Sequence, residues 1–158
     1  MAIATELLAR TVASLRRRIS AGMLLDRRDN NGNTYLLTAA AKGQTRIVRA
    51  LVSAGADVNT QPNNGVSALS FASREGYIDI VNILLDNGAN IETRDNHGRT
   101  PLWFAAVTGH TDVVRALVSA GADVNTQRND GISALRIASD NGYIDIVNLL
   151  LQNNAHRN

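Results

Sequence analysis

The side chains in this sequence best suited to metal binding are its three histidines, which are His97, His110 and His156. They lack the four-residue spacing that places two histidines on one face of a helix. The segment DRRDNNGNTYLL resembles a calcium loop, but with Gly32 as its sixth residue, Arg27 and Thr38 stand where the two essential carboxylates belong. No nucleophile or phosphate-loop motif occurs either. We therefore expect a protein without catalytic activity, metal or cofactor.

Residue types suited to binding a protein are better represented. Arg94, His97 and Arg99 lie close in sequence to Trp103, the single tryptophan. Arginine and tryptophan carry much of the energy of protein interfaces, so these residues could form a hot spot. Arg94 could make charge-assisted contacts with an acidic partner. The alternative for Trp103 is that its ring fills space inside the fold, and the sequence leaves both interpretations open.

The composition narrows the class of protein. Among 158 residues the net charge is only +2, with acids and bases interspersed, so we expect no nucleic-acid partner. The absence of cysteine excludes disulfides and thiolate metal sites. No apolar run reaches the length of a membrane span or signal peptide. We expect a monomer without membrane contact, located in the cytoplasm or, as a second compartment, the nucleus.

The chain contains an internal repeat. The stretch RALVSAGADVNTQ occurs at 49–61 and, letter for letter, at 115–127. The underlying period is 33 residues, because a glycine recurs at the fourth place of each unit and a threonine or serine at the sixth. This period predicts four repeats, at 29–61, 62–94, 95–127 and 128–158. The second pair duplicates the first, and the last repeat is either a polar cap or an internal unit of a longer array.

Each repeat predicts two short helices and a turn. The Thr or Ser caps the first helix, and Pro101 suits its first turn. The glycine at the fifteenth place, such as Gly109, can end that helix. A second helix follows with Asp112 in its first turn, and Gly121 or, in the last repeat, Asn154 ends it. Because such short helices are unstable alone, neighbouring repeats must stack.

Residues 95–127, DNHGRTPLWFAAVTGHTDVVRALVSAGADVNTQ, resemble an ankyrin repeat, whose pattern runs D-x-x-G-x-T-P-L-H-x-A-A-x-x-G-H and then through a second helix to G-A-D-V-N. The resemblance extends over 29–158. It implies an all-α solenoid of stacked helix-turn-helix units joined by hairpin-like turns. It also implies binding of a protein partner on a concave face formed by the turn tips and the inner helices.

Some positions of the ankyrin pattern bear on individual residues. The histidine after Thr-Pro-Leu is replaced in every repeat, by Leu37, Ser70, Trp103 and Arg136. His110 matches a histidine that is structural in the family. Asn59 and Asn125 match sites that asparaginyl hydroxylases modify in many ankyrin repeats, although a role in shaping the turn is sufficient to explain them.

The duplication allows the two halves of the chain to be compared. At the third, fifth, thirteenth and fourteenth places every pair differs, the pairs being Asn31/His97, Asn33/Arg99, Ala41/Val107, Lys42/Thr108, Asn64/Asp130, Val66/Ile132, Arg74/Asp140 and Glu75/Asn141. At the eighteenth, twenty-first, twenty-fifth and twenty-sixth places, which the second helix should expose, only Arg46/Asp112 and Asp86/Gln152 differ. The resemblance assigns the divergent places to the concave face.

We therefore predict that a protein partner binds there. The predicted contact residues are Asn31, Asn33, Lys42, Asn64, Arg74, Glu75, Arg94, His97, Arg99, Trp103, Thr108, Asp130, Asp140 and Asn141. Random divergence of a structural or engineered scaffold without a target is the alternative.

Residues 1–28 are predicted to form a helical N-terminal cap. Apolar residues recur at helical spacing, namely Ile3, Leu7, Leu8, Val12, Leu15 and Ile19. The segment ISAG at 19–22 precedes VSAG at 52–55 by one period, which favours a degenerate repeat. Alternatives are a mitochondrial or nuclear targeting signal, or a patch that binds anions or nucleic acid through Arg16–Arg18.

Overall fold

The computed structural model of the chain describes residues 2–20 and 25–156, with side chains described from residue 10 onward. Within these residues the chain forms nine α-helices and no β-strand, which confirms the all-α prediction. The helices are α1 Ala2–Ser20, α2 Tyr35–Ala41, α3 Thr45–Ser53, α4 Ala68–Glu75, α5 Ile78–Asp86, α6 Pro101–Thr108, α7 Thr111–Ser119, α8 Ala134–Asp140 and α9 Ile144–Gln152. The side chains of Ile3, Leu7 and Leu8, and residues 21–22 of the ISAG segment, lie outside the described part.

After α1, the helices form two layers. The inner layer consists of α2, α4, α6 and α8, and the outer layer of α3, α5, α7 and α9. Each inner helix packs against its own outer helix and against the next inner helix. A hydrophobic core of mainly leucine, isoleucine, valine and alanine side chains runs between the layers, and α1 joins it by packing Leu15 and Ile19 against it. This is the predicted solenoid.

The predicted helix caps are present. Each inner helix has a threonine or serine N-cap whose side-chain oxygen accepts a hydrogen bond from the N–H three residues later, these caps being Thr34, Ser67, Thr100 and Ser133. Gly109 and Gly121 have φ of 80° and 94°. Asn154, with φ of 68°, is the one residue other than glycine with positive φ in the described part. The caps and helix ends are therefore set by single residues at fixed places of the repeat.

Close approach between repeats depends on the glycine at the fifteenth place. A Cβ atom on Gly76 would lie 2.5 Å from Nδ1 of His110, because that ring packs directly on the glycine. The rings of Tyr77 and Tyr143 pack in the same way on Gly43 and Gly109, each in the repeat before. A Cβ atom on Gly142 would meet nothing within 4 Å. The structure thus gives His110 a packing position between two repeats.

A ladder of asparagines at the second place joins the turns, and the sequence comparison did not identify it. The Nδ2 of Asn63 donates to the carbonyl of Asn30 at 3.2 Å, and Asn96 and Asn129 donate in the same way to the turn before each of them. Because the four turns are tied to one another, the residues at their tips have fixed relative positions.

Asn59 and Asn125 join the repeats at the opposite end of the outer helices. The Nδ2 of Asn59 donates to Gly88 O at 3.1 Å, and its Oδ1 accepts from the N–H of Asn90 at 2.7 Å. Asn125 makes the equivalent pair of hydrogen bonds with Asn154 and His156. These bonds give both asparagines the turn-shaping role considered from the sequence.

Candidate functional site

The predicted contact residues lie mainly on one surface, which we call the turn face. It consists of the tips of the four turns and the C-terminal ends of the inner helices. Of the fourteen predicted residues, thirteen are exposed or half-buried, and Trp103 is buried. The compared places of the outer helices are exposed as well, as predicted. Exposure alone therefore does not explain why the turn face diverges between the two halves while the outer helices do not.

A small apolar cluster connects the turns to the inner helices. Its buried members are Val66 from a turn, and Trp103 and Phe104 from α6. The half-buried side chains of Phe71, Val107 and Ile137 pack against them from α4, α6 and α8. Its three buried members lie outside the main core, but Phe71 and Ile137 pack against both. The cluster joins side chains of the second, third and fourth repeats beneath the turn face.

Trp103 is a packing residue in this structure. It is only 5% exposed, and its ring meets that of Phe104 edge to face, with centroids 5.8 Å apart. Its Nε1 is buried without a hydrogen-bond acceptor. The prediction that Trp103 contacts a partner directly is therefore corrected, since the ring fills the space under the turn face.

Arg99 is held in place from two sides. Its guanidinium carbon lies 4.6 Å from the centroid of Phe104 and 5.8 Å from that of Trp103. On the other side its Nε donates to Oδ2 of Asp95 at 2.7 Å. The Arg99 side chain remains 29% exposed. It is a preorganised cation with part of its surface open to a partner.

Asp95 anchors this arrangement. Its side chain is 1% exposed, and it also accepts hydrogen bonds from the backbone N–H groups of His97 and Arg99. Burial raises the pKa of Asp95, but the hydrogen bonds from Arg99 and His97 outweigh it and hold the pKa below the usual 3.8. The carboxylate is therefore charged at neutral pH. Asp29, its counterpart in the first repeat, is exposed and is hydrogen-bonded by Asn31 and Asn33 instead.

A second arginine contacts Trp103 from the following repeat. The guanidinium carbon of Arg128 lies 5.2 Å from the ring centroid, and the guanidinium pairs with the carboxylate of Asp130. The hydrogen bond from Arg128 lowers the pKa of Asp130 to about 2. Both residues, with His97, Arg99 and Asn129, line a cavity of about 340 Å³. The structure thus brings together the predicted residues His97, Arg99 and Asp130.

Two further ion pairs lie on the turn face. Arg74 pairs with Glu75 at 2.8 Å and stacks over Phe71, and Arg136 pairs with Asp140 at 2.9 Å. Positive and negative groups therefore alternate across the second to fourth repeats. The remaining predicted residues of the turn face are exposed or half-buried on the same surface, namely Asn31, Asn33, Lys42, Asn64, Thr108 and Asn141.

Arg94 has a different position. Its guanidinium donates to Gln127 O at 3.1 Å, as Arg28 does to Gln61 O at 3.3 Å two repeats before. It therefore bridges two repeats. Its contact with an acidic partner stays a prediction.

Sequence reasoning missed Asp95 and Arg128. Asp95 has a signal, because aspartate recurs at the first place of the repeat in Asp29 and Asp95. Arg128 has none, since its contact with Trp103 crosses from one repeat to the next.

Neither a metal centre nor a membrane span is found in the described part of the chain. Across residues 2–20 and 25–156, no helix combines the length and apolar character needed to cross a bilayer. In the same residues, no three histidine, aspartate or glutamate side chains are placed to hold a metal ion.

Comparison with known proteins identifies a family. A family model described as ankyrin repeats (3 copies) matches residues 11–95 and 89–158, and so spans nearly the whole chain. No match was found among curated proteins.

Proposed function

The chain belongs to the ankyrin repeat family, and on that premise we propose that it is a non-catalytic module that holds a protein partner on the turn face. Ankyrin repeats are generally protein-interaction modules. The observation that carries the proposal is the contrast between two surfaces of one duplicated chain. All eight compared pairs differ at the places of the turn face, and six of eight are identical on the outer helices.

The physical basis is preorganisation. Arg99 is fixed by Asp95 and Phe104, and Arg128 by Asp130 and Trp103. Side chains that are already ordered lose little conformational entropy on binding, so more of the contact energy appears as affinity. The alternating charges favour a partner with a complementary pattern of both signs, because mismatched like charges are repelled. We further propose that the protein acts as a monomer in this role.

The duplication allows a test in which every introduced residue already occurs at the equivalent place of another repeat. In one variant the third repeat receives the turn-face residues of the first, through His97→Asn, Arg99→Asn, Val107→Ala and Thr108→Lys. The control likewise replaces outer-helix residues by their counterparts from the other half of the chain, through Asp86→Gln and Asp112→Arg. Both variants are first shown to fold by circular dichroism. Each then captures proteins from a lysate of the source cells beside the unaltered chain.

We expect a protein that the unaltered chain and the control retain and the turn-face variant loses. If the turn-face variant retains every bound protein, the partner binds elsewhere on the chain, and if even the unaltered chain captures no protein, the divergence reflects a scaffold without a target. Loss in the control alone would move the site to the outer helices.

A further inference from the structure

A groove runs between α1 and the outer helix α3, away from the turn face. Its volume is about 890 Å³. The floor includes Val12 and Ile19 from α1 and Ala50 from α3, and the rim carries Arg16, Arg46 and Arg49. None of the described residues that line it is an aspartate or a glutamate.

The three rim arginines differ from those of the turn face. Arg16, Arg46 and Arg49 are exposed. Within the described part of the chain, none of their guanidinium groups has a hydrogen bond, an ion pair or an aromatic contact. On the turn face, by contrast, Arg74 and Arg99 are each paired with a carboxylate. Three uncompensated positive charges around one groove produce a local field that attracts an anionic group.

The duplication indicates that this charge is specific to the first half of the chain. The outer helices differ at only two of the eight compared places, and one of these differences is Arg46 against Asp112. It is the one charge reversal in that set. The counterpart of Arg49 is Arg115, which is unchanged. At these two places the second half therefore carries one aspartate and one arginine, where the first half carries two arginines.

We propose that the α1–α3 groove binds an acidic peptide segment of a second protein partner. Its carboxylates would contact Arg16, Arg46 and Arg49, and an apolar side chain would lie on Val12, Ile19 and Ala50. Arginine matches a carboxylate with two parallel hydrogen bonds. A nucleic acid fits less well, because single-stranded binding sites rely on aromatic stacking and the described lining of this groove contains no aromatic residue.

The test is a selection of short random peptides displayed on phage against the full chain. Bound peptides are then measured individually by fluorescence anisotropy at low and high salt. We expect enrichment of Asp and Glu interspersed with apolar residues, and binding that weakens as salt rises. Arg46→Asp, which copies the residue found at the equivalent place of α7, should weaken binding about tenfold or more.

Three controls separate the outcomes. Asp112→Arg and the turn-face variant described above should bind the selected peptides with unchanged affinity, so this proposal can fail or succeed independently of the proposed function. Selected peptides without acidic residues, or with equal affinity for Arg46→Asp, would overturn the proposal. So would tighter binding of a single-stranded oligonucleotide than of any selected peptide.

A second copy of the chain is the remaining competitor for the groove, because an acidic row lies on its outer helices, formed by Asp79, Asp112 and Asp145. Sedimentation of the unaltered chain and of Arg46→Asp decides this point. We expect both to sediment as monomers at all salt concentrations. Self-association that Arg46→Asp abolishes would assign the groove to a second copy and overturn the peptide proposal.

Discussion

Asp95 fixes the orientation of Arg99 by accepting a hydrogen bond from its Nε at 2.7 Å while almost completely buried beneath it. The same carboxylate accepts the backbone N–H groups of His97 and Arg99. One buried anion therefore determines both the shape of a turn and the direction of the cation that the turn presents.

Replacing Asp95 should destabilise the fold more than replacing its counterpart in the first repeat. Asp95→Ala leaves the partly buried N–H groups of His97 and Arg99 without their acceptor, which costs about 1–3 kcal/mol. Asp29→Ala should cost less, because water can reach the N–H groups around the exposed Asp29. Urea denaturation of both variants measures the two losses in the free energy of unfolding. Equal losses would contradict the anchoring role of Asp95.

The stability of the protein should depend on pH through Asp95. Its pKa is lowered in the folded state, so the unfolded state binds its proton first and the carboxylate stabilises the fold at pH above 3.8. That contribution disappears as the pH falls below 3.8 through the lowered pKa. Urea unfolding at neutral pH and at successively lower pH should show a smaller decline for Asp95→Asn than for the unaltered chain. Parallel declines would show that Asp95 titrates normally.

The two glycines Gly76 and Gly142 provide a matched test of how the repeats stack. Both have nearly equal φ, 77° and 76°, so alanine should cost each about 1–2 kcal/mol of backbone strain. Only at Gly76 would the new Cβ collide with the ring of His110. We expect Gly76→Ala to cost a further 1–3 kcal/mol or so. Thermal unfolding of both variants measures the difference, and equal melting temperatures would contradict the packing of His110.

Trp103 should behave as a core residue in mutagenesis. Trp103→Ala should cost about 3–5 kcal/mol through the cavity it leaves. Trp103→Phe should cost much less, since it keeps an aromatic ring and removes the buried Nε1 that has no acceptor. Denaturant unfolding distinguishes the two. A similar loss for both variants would show that the indole N–H has a partner in solution, and a negligible loss for Trp103→Ala would place the ring at the surface.

The features that sequence predicted well are those that one residue type determines at a fixed place. The caps at Thr100 and Ser133, and the helix end at Asn154, follow from local hydrogen bonding and backbone conformation. Trp103 could not be placed, because a ring at that position can turn toward the partner or into the fold, and only the neighbouring Val66 and Phe104 decide between them. The Asn63–Asn30 ladder was missed because the comparison of the two halves considered places that differ, and the second place is asparagine in every repeat.

The contact between Arg128 and Trp103 shows a second reason why the sequence did not predict all of the site. It joins two repeats through side chains whose rotamers depend on the stacking distance, and no spacing within one repeat predicts it. The 33-residue period therefore determines the scaffold, whereas the pairing of charges on the turn face follows only from the packed structure.

In the proposed function, the turn face binds the partner through Arg99. The most direct measurement is the Kd of the captured partner for the unaltered chain, for Arg99→Asn and for the outer-helix control Asp86→Gln, determined by isothermal titration calorimetry. Asparagine suits the site, because Asn33 donates to Asp29 at the same place of the first repeat. We expect Arg99→Asn to raise the Kd about tenfold or more, as loss of a charge-assisted hydrogen bond does, and Asp86→Gln to leave it unchanged. An unchanged Kd for Arg99→Asn together with a raised Kd for Asp86→Gln would show that the partner binds the outer helices and not the turn face.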